Sequence, residues 1–444
     1  MKEYKHGWLA PAARRTRFIP LCLAFAISSA NAASGGDAAK YTGPGSCSAV
    51  SCHGSVQMRT ENNILQNEYT TWTISDKHSR AATALTNETG KRIGRILRIR
   101  PETSAKCLDC HSLNVREEQK ARTFDMNDGV SCESCHGPAS NWLGPHTTRD
   151  WSHAKSVEAG MIDVKDPIKC SETCLSCHLG TATKWVDHEM IAAGHPDLYF
   201  ELDSFTAAMP KHWKDPRDDP WAELRLLATG QAVQLRENMR RIARETERFW
   251  PEFSEFDCFA CHHNLTMPKN SWRQEHGYPG RRPGNPPWDA SRFAILKLIA
   301  EQVDGAEAQH LDTALSQVNS LVSDITADRH RISTAAQATA ETADRVARRM
   351  SGCRFDSSTA VQLIRRISGA AESIAFQGER SAEQAAMVLN SLVIAYCDRA
   401  KPPAASQAQM KAAVAGLFRQ VENQSAYSPS SFASQMRTLN SLIR

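Results

Sequence analysis

Gly129-Val130-Ser131-Cys132-Glu133-Ser134-Cys135-His136-Gly137-Pro138 is the stretch on which the reading of the chain turns. Cys-x-x-Cys-His is the attachment pattern of a c-type haem: both thiols add to vinyl groups of the porphyrin, and the adjacent His becomes the proximal iron ligand. One turn of chain has to present two sulfurs to one porphyrin edge while the next side chain points at the iron. The pattern recurs at Cys107-Leu-Asp-Cys110-His111, Cys174-Leu-Ser-Cys177-His178 and Cys258-Phe-Ala-Cys261-His262, four occurrences in all. Zinc ribbons also use paired Cys-x-x-Cys, but they need no His directly after every second Cys. A disulfide reading fails on the same ground. Cys47-Ser-Ala-Val-Ser-Cys52-His53 leaves four residues between its thiols and is read as a fifth attachment site. The other reading of that stretch is a disulfide, or a free pair beside an incidental His.

The chain has 14 cysteines, of which Cys22 lies in an N-terminal leader and ten lie in the five motifs. Cys170 precedes Cys174 by four residues, as a free thiol near the haem of His178 or as an alternative attachment sulfur. Cys353 and Cys397 remain, and an oxidising compartment would allow a disulfide between them.

The leader itself is legible. Lys2, Lys5, Arg14, Arg15 and Arg17 precede the apolar run 18–27, and Ala30-Asn31-Ala32 follows with the small-x-small pattern of a cleavage site. A bilayer span needs about 20 apolar residues, so the run reads as a signal peptide rather than an anchor. The expected mature chain is exported, to the periplasm or beyond, after cleavage near Ala32, with no membrane span. Cleavage takes away five basic residues and Glu3, so the formal net charge falls from +4 to about zero. A nucleic-acid partner, suggested only by the basic balance of the uncleaved chain, is therefore not expected.

Histidine supply permits two imidazoles per iron. Sixteen His are present, five in motifs and His6 in the leader. His78, His146, His153, His188, His195, His212 and His263 fall in the cysteine-rich region, seven candidates for five distal positions. His263 directly follows a proximal His and is badly placed for the same iron. His276, His310 and His330 read as surface residues.

In order and spacing these residues resemble the tetrahaem cytochrome c-554 family. The matching stretches are the first motif, Thr71-Trp72-Thr-Ile-Ser-Asp-Lys-His78-Ser-Arg-Ala81, the second motif, residues 129–138, Trp142-Leu-Gly-Pro-His146 and the motif of His178, together residues 44–180. The resemblance implies haems stacked in close pairs with distal His from distant segments. It puts His146 opposite His53, His78 opposite His136, and a downstream His opposite His178, for which His195 is preferred over His188 and His212. It also implies that the haem of His111 lacks a distal ligand. The chain departs from the family in its long first motif, the fifth haem at His262 and its C-terminal extension. His153 and His212 complete the candidate ligands.

Outward from the motifs, residues 41–215 are dense in Gly, Pro, Ser and turn signals, with Trp72, Trp142, Trp185 and Trp213 read as packing on porphyrin faces or within a core. Residues 220–250 have the spacing of one helix, with Leu224, Leu227, Leu235, Met239 and Ile242 on one face. A Pro/Gly-rich linker is expected over 266–288. Beyond it, Leu311, Ala314, Leu315, Val318, Leu321, Val322 and Ile325 begin an amphipathic stripe that Val361, Ile364, Ile367, Ile374 and residues 383–396 continue. Four or five helices are expected there, as structural cover or as a docking surface. The predicted fold is mainly α: a signal peptide (1–32), a loop-rich pentahaem cytochrome c domain of short helices around stacked haems (33–265), the linker (266–288) and a helical bundle (289–444).

The function read from these features is electron transfer through five haem c groups between redox partners such as other cytochromes, a quinol dehydrogenase or a periplasmic oxidoreductase. A homo-oligomer is compatible with it. The alternative is a multihaem oxidoreductase with one open iron, that of His111, acting on a small nitrogen or sulfur compound. No Cys-x-x-Cys-Lys motif is present, which argues against the usual nitrite reductase site.

Overall fold

The computed structural model describes residues 38–61, 64–214, 218–262 and 285–443. The leader, His263, His276 and most of the Pro/Gly-rich stretch lie outside the described residues. The fold is mainly helical; among the described residues only two isolated β-bridges occur, Tyr41 with Lys120 and Phe256 with Trp288.

The cysteine-rich half is built from short pieces: α1 (Glu68–Ser75), α2 (Glu88–Leu97), α3 (Ala105–His111), α4 (Cys132–His136), α5 (His153–Glu158), α6 (Pro167–His178), α7 (His188–Ala192) and α8 (Leu202–Ala208). Each is stopped early by its own sequence. Asp166 caps α6 and Pro167 opens it, while Gly137 ends α4 at φ 77°. Side chains alone build little core in this half: Leu85, Cys107 and Leu108 cluster together, with Ile99 and Met126 against them.

The main core lies further along. Helix α9 (Ala222–Arg248) spans the residues read as one helix and buries Leu224, Leu227, Leu235, Met239 and Ile242. Among the described residues eight helices follow, not four or five: α10 (Ala294–Val303), α11 (Gly305–Val322), α12 (Arg329–Ser351), α13 (Ser357–Gly369), α14 (Ala371–Ala375), α15 (Glu379–Ala400), α16 (Ala404–Val421) and α17 (Pro429–Leu442). The stripe is divided between helices by caps at Asp328 and Asp356. Ile325, counted in that stripe, falls past the end of α11 and is 46% exposed.

Helices α9 and α12 pack against each other along their length. Small residues accompany the close approach: Ala228, Ala232 and Ala243 on α9, and Ala335, Ala336, Ala340, Ala343 and Ala347 on α12, are buried. Each fully buried Leu or Ile beside them contributes about 1.5–3 kcal/mol. One hydrophobic core runs from Leu175 and Leu179 of the fourth motif through α9 to Ile443, and residues 39–444 form one unit. Trp288, at the end of the Pro/Gly-rich stretch, is buried in that core and bonds Ser323 Oγ through its backbone N–H at 3.1 Å.

Cys353 and Cys397 are not joined: both are free thiols. Cys397 is buried in α15, whereas Cys353 follows α12 and donates to the Arg349 carbonyl at 3.2 Å. The disulfide expected from compartment alone is thus absent.

Candidate cofactor-binding sites

Three motifs end short helices, α3, α4 and α6, so that each His closes the last turn. On a helix, residues four apart share a face, which puts the first Cys and the His of each motif side by side. The first and fifth motifs use 3-10 turns instead, Pro44–Cys47 and Cys258–Ala260.

The residues flanking Cys132 have specific structural reasons. A Cβ at Gly129, φ 70°, would meet the His78 carbonyl oxygen at 2.9 Å. That carbonyl accepts from the Val130 N–H at 3.1 Å, and the Val130 carbonyl accepts from Trp72 Nε1 at 3.0 Å. Glu133 is 2% exposed and accepts backbone N–H bonds from Thr42, Gly43 and Ala139 at 2.7–2.9 Å. One carboxylate therefore fixes the lead-in to the first motif against the third.

The imidazoles come in facing pairs, one from a motif and one from elsewhere. His53 faces His146 with ring centres 6.3 Å apart and planes 11° from parallel. The His78–His178 centres are 6.0 Å apart, His111–His195 6.3 Å and His188–His262 6.2 Å. A metal–imidazole nitrogen bond is about 2.0 Å and the ring centre lies roughly 1.1 Å behind it, so two imidazoles trans on one metal hold centres about 6.2 Å apart. Among the described residues no three His, Cys, Asp or Glu side chains converge as a metal site. A porphyrin, which brings four donors of its own and needs two from the protein, fits this donor set.

Nitrogen usage fits as well. Nδ1 is engaged by Glu68 Oε2 on His53, Asp76 Oδ1 on His78, the Ala81 carbonyl on His111, the Leu143 carbonyl on His146 and the Pro196 carbonyl on His195, at 2.6–3.1 Å. Such bonds fix the ring and leave Nε2 for a metal. His153 does the reverse, engaging Asp163 through Nε2 at 2.9 Å on a side chain 41% exposed.

Two juxtapositions differ from those the resemblance implies. His78 faces His178 rather than His136, and His195 faces His111 rather than His178. His188, ranked behind His195 on sequence, faces His262. The sequence cue was the helix start Asp187-His188-Glu189, in which Asp187 caps the helix that His188 opens. For His136, burial pushes the imidazole down to about 4, and the His212 imidazole leads the neighbouring charges that add to it. His212 itself engages the Pro210 carbonyl through Nδ1 at 3.1 Å. Burial, then His78, pushes His178 down to about 4, so both rings are held neutral, the form that binds metal.

Thiols of different motifs touch. Cys47 lies beside Cys132, and Cys110 beside Cys177. Cys170 lies beside Cys174 on the same face of α6. Phe200 stacks on His178 at 4.7 Å and Phe253 lies edge-on to His188 at 5.8 Å. Trp142 meets His146 edge-on at 5.7 Å.

The family described as "Cytochrome c554 and c-prime" matches residues 46–137, the stretch that holds the motifs of His53, His111 and His136. The match supports a c-type cytochrome with covalently bound haem c in electron transfer. No curated protein and no solved structure matches the chain.

Proposed function

We propose that the chain is an exported multihaem c-type cytochrome that carries electrons through five covalently bound haems between redox partner proteins. The observation that carries this reading is the repeated pairing of a motif His with a non-motif His at 6.0–6.3 Å. Cys47 and Cys52, Cys107 and Cys110, Cys132 and Cys135, Cys174 and Cys177, and Cys258 and Cys261 would hold the porphyrins. His53, His111, His136, His178 and His262 are the proximal ligands, with His146, His195, His212, His78 and His188 opposite them in that order.

Haem supplies one-electron iron chemistry; the chain sets ligand identity, hydrogen bonding and burial around it. Two imidazoles offered to one iron would leave it no place for a substrate, which suits electron transfer. His195 opposite His111 favours a carrier over an enzyme with an open iron there. The thiol contacts Cys47–Cys132 and Cys110–Cys177 support close approach of the first site to the third and of the second to the fourth. The leader sequence supports export, and no helix of the described residues is long and apolar enough to cross a membrane.

Pyridine haemochrome of the purified chain should count five haems, and electron paramagnetic resonance of the oxidised protein should show low-spin iron only. A high-spin signal that shifts with nitrite, hydroxylamine or sulfite would instead select the oxidoreductase.

A further inference from the structure

We infer that residues 187–197 form one ligand arm serving two cofactor sites, presenting His188 to the site of His262 and His195 to the site of His111, so that a change at either site is felt at the other. The inference rests on the reading of these residues as haem sites.

The arm is continuous. Helix α7 begins with His188, whose N–H donates to Glu252 Oε1 at 3.0 Å, and is capped by Asp187 Oδ1 on the Met190 N–H at 2.8 Å. Backbone bonds run on past its end, from Ala193 to Glu189, Gly194 to Ile191 and His195 to Met190, at 2.9–3.0 Å. Gly194 makes the turn at φ 105°, where a Cβ would stand 2.9 Å from the Arg92 guanidinium. Met190 and Ala193 are buried, so the two imidazoles are displaced together rather than separately.

Its ends are tied crosswise. The His188 end faces the fifth motif, yet Asp187 is ion-paired at 2.5 Å with Lys106, which directly precedes Cys107 of the second motif. The His195 end faces the second motif, yet Asp197 is ion-paired with Arg380, which also donates to the Phe256 carbonyl at 3.4 Å just ahead of Cys258. Asp289 holds Arg380 from a further side at 3.0 Å. Lys106, Asp187, Asp197 and Arg380 are positioning residues: each acts on one site through an element that belongs to the other.

The test uses the full haem-loaded protein. His188→Ala and His195→Ala should each convert one haem from low to high spin, which assigns the two signals. Asp187→Asn, which keeps a capping side chain but removes the ion pair, and Lys106→Met should then shift the g-values and midpoint potentials of both assigned haems, leaving the other three and the count of five unchanged. In addition, His188→Ala should shift the signal of the His111 haem. A shift confined to one assigned haem, no shift, or an equal shift of all five overturns the arm. Fewer than five haems in the unaltered chain, or a His188→Ala protein that stays wholly low-spin, would instead count against the site assignments themselves.

Discussion

The His53 and His146 rings lie almost parallel, their centres 6.3 Å apart, although 93 residues separate them in the chain. Each is oriented through Nδ1, His53 by the Glu68 carboxylate and His146 by the Leu143 carbonyl. His146→Ala should therefore free one axial position while the Cys47 and Cys52 links keep the porphyrin in place. The expected result is one high-spin haem in the electron paramagnetic resonance spectrum with haem stoichiometry unchanged. An all-low-spin spectrum would remove His146 from the first site.

Glu68 offers a finer test. Its carboxylate accepts from His53 Nδ1 at 3.0 Å, and that hydrogen bond holds the His53 imidazole above its ordinary pKa. On a metal-bound ring the same bond increases electron donation and favours the oxidised iron. Glu68→Gln should then raise the midpoint potential of that haem, by about 60 mV if the carboxylate favours the oxidised form tenfold. Potentiometric titration of the Soret band checks the sign; a lowered potential refutes it.

Glu133 occupies a variable position of the attachment motif, yet it accepts from three backbone N–H groups. Replacing it by Ala leaves the N–H groups of Thr42, Gly43 and Ala139 without their acceptor. An unsatisfied buried donor costs about 1–3 kcal/mol. With some water entry, Glu133→Ala should destabilise the chain by on the order of 3 kcal/mol, read as a lower melting temperature. The first and third haem signals should broaden before the others; equal broadening of all signals would deny Glu133 this local role.

What the sequence made legible follows from range. The Cys-x-x-Cys-His pattern is local, and so is the helical period of residues 222–248, hence both could be read directly. Imidazole pairing is not local. His78 lies near the third motif because Gly129 lets its backbone approach, but its ring turns to His178, and no spacing rule contains that turn. His153 looked as eligible as His212 by position; the engagement of its Nε2 by Asp163 and its exposure set it apart. The Pro/Gly composition before residue 289 looked like a boundary. Trp288 and the pairing of α9 with α12 carry the core across it, because burial depends on which faces meet rather than on where composition changes.

Arg236 joins the two halves and makes a pH-dependent prediction. Its guanidinium, 2% exposed, bonds Glu172 on α6 at 2.6 Å, Glu237 at 2.8 Å and Asp344 on α12 at 2.7 Å. Burial alone would push the carboxyls of Glu172 and Asp344 up, but Arg236, with Lys169 at Glu172, outweighs it and holds both below the usual carboxylate range. A carboxyl whose folded pKa is depressed contributes stability that is present above its unfolded pKa and lost as pH falls through the folded value. Stability should thus decline on acidification below about pH 4. Arg236→Met takes one cation from each of these carboxylates at neutral pH and leaves Lys169 at Glu172 and Arg348 at Asp344, which should cost about 1–3 kcal/mol. Protonation relieves that cost, so the difference in melting temperature between the two proteins should be large at pH 7 and should shrink towards pH 3. A difference independent of pH would mean that Arg236 acts through packing alone, and that the charge network does not fasten the fourth motif helix to the bundle.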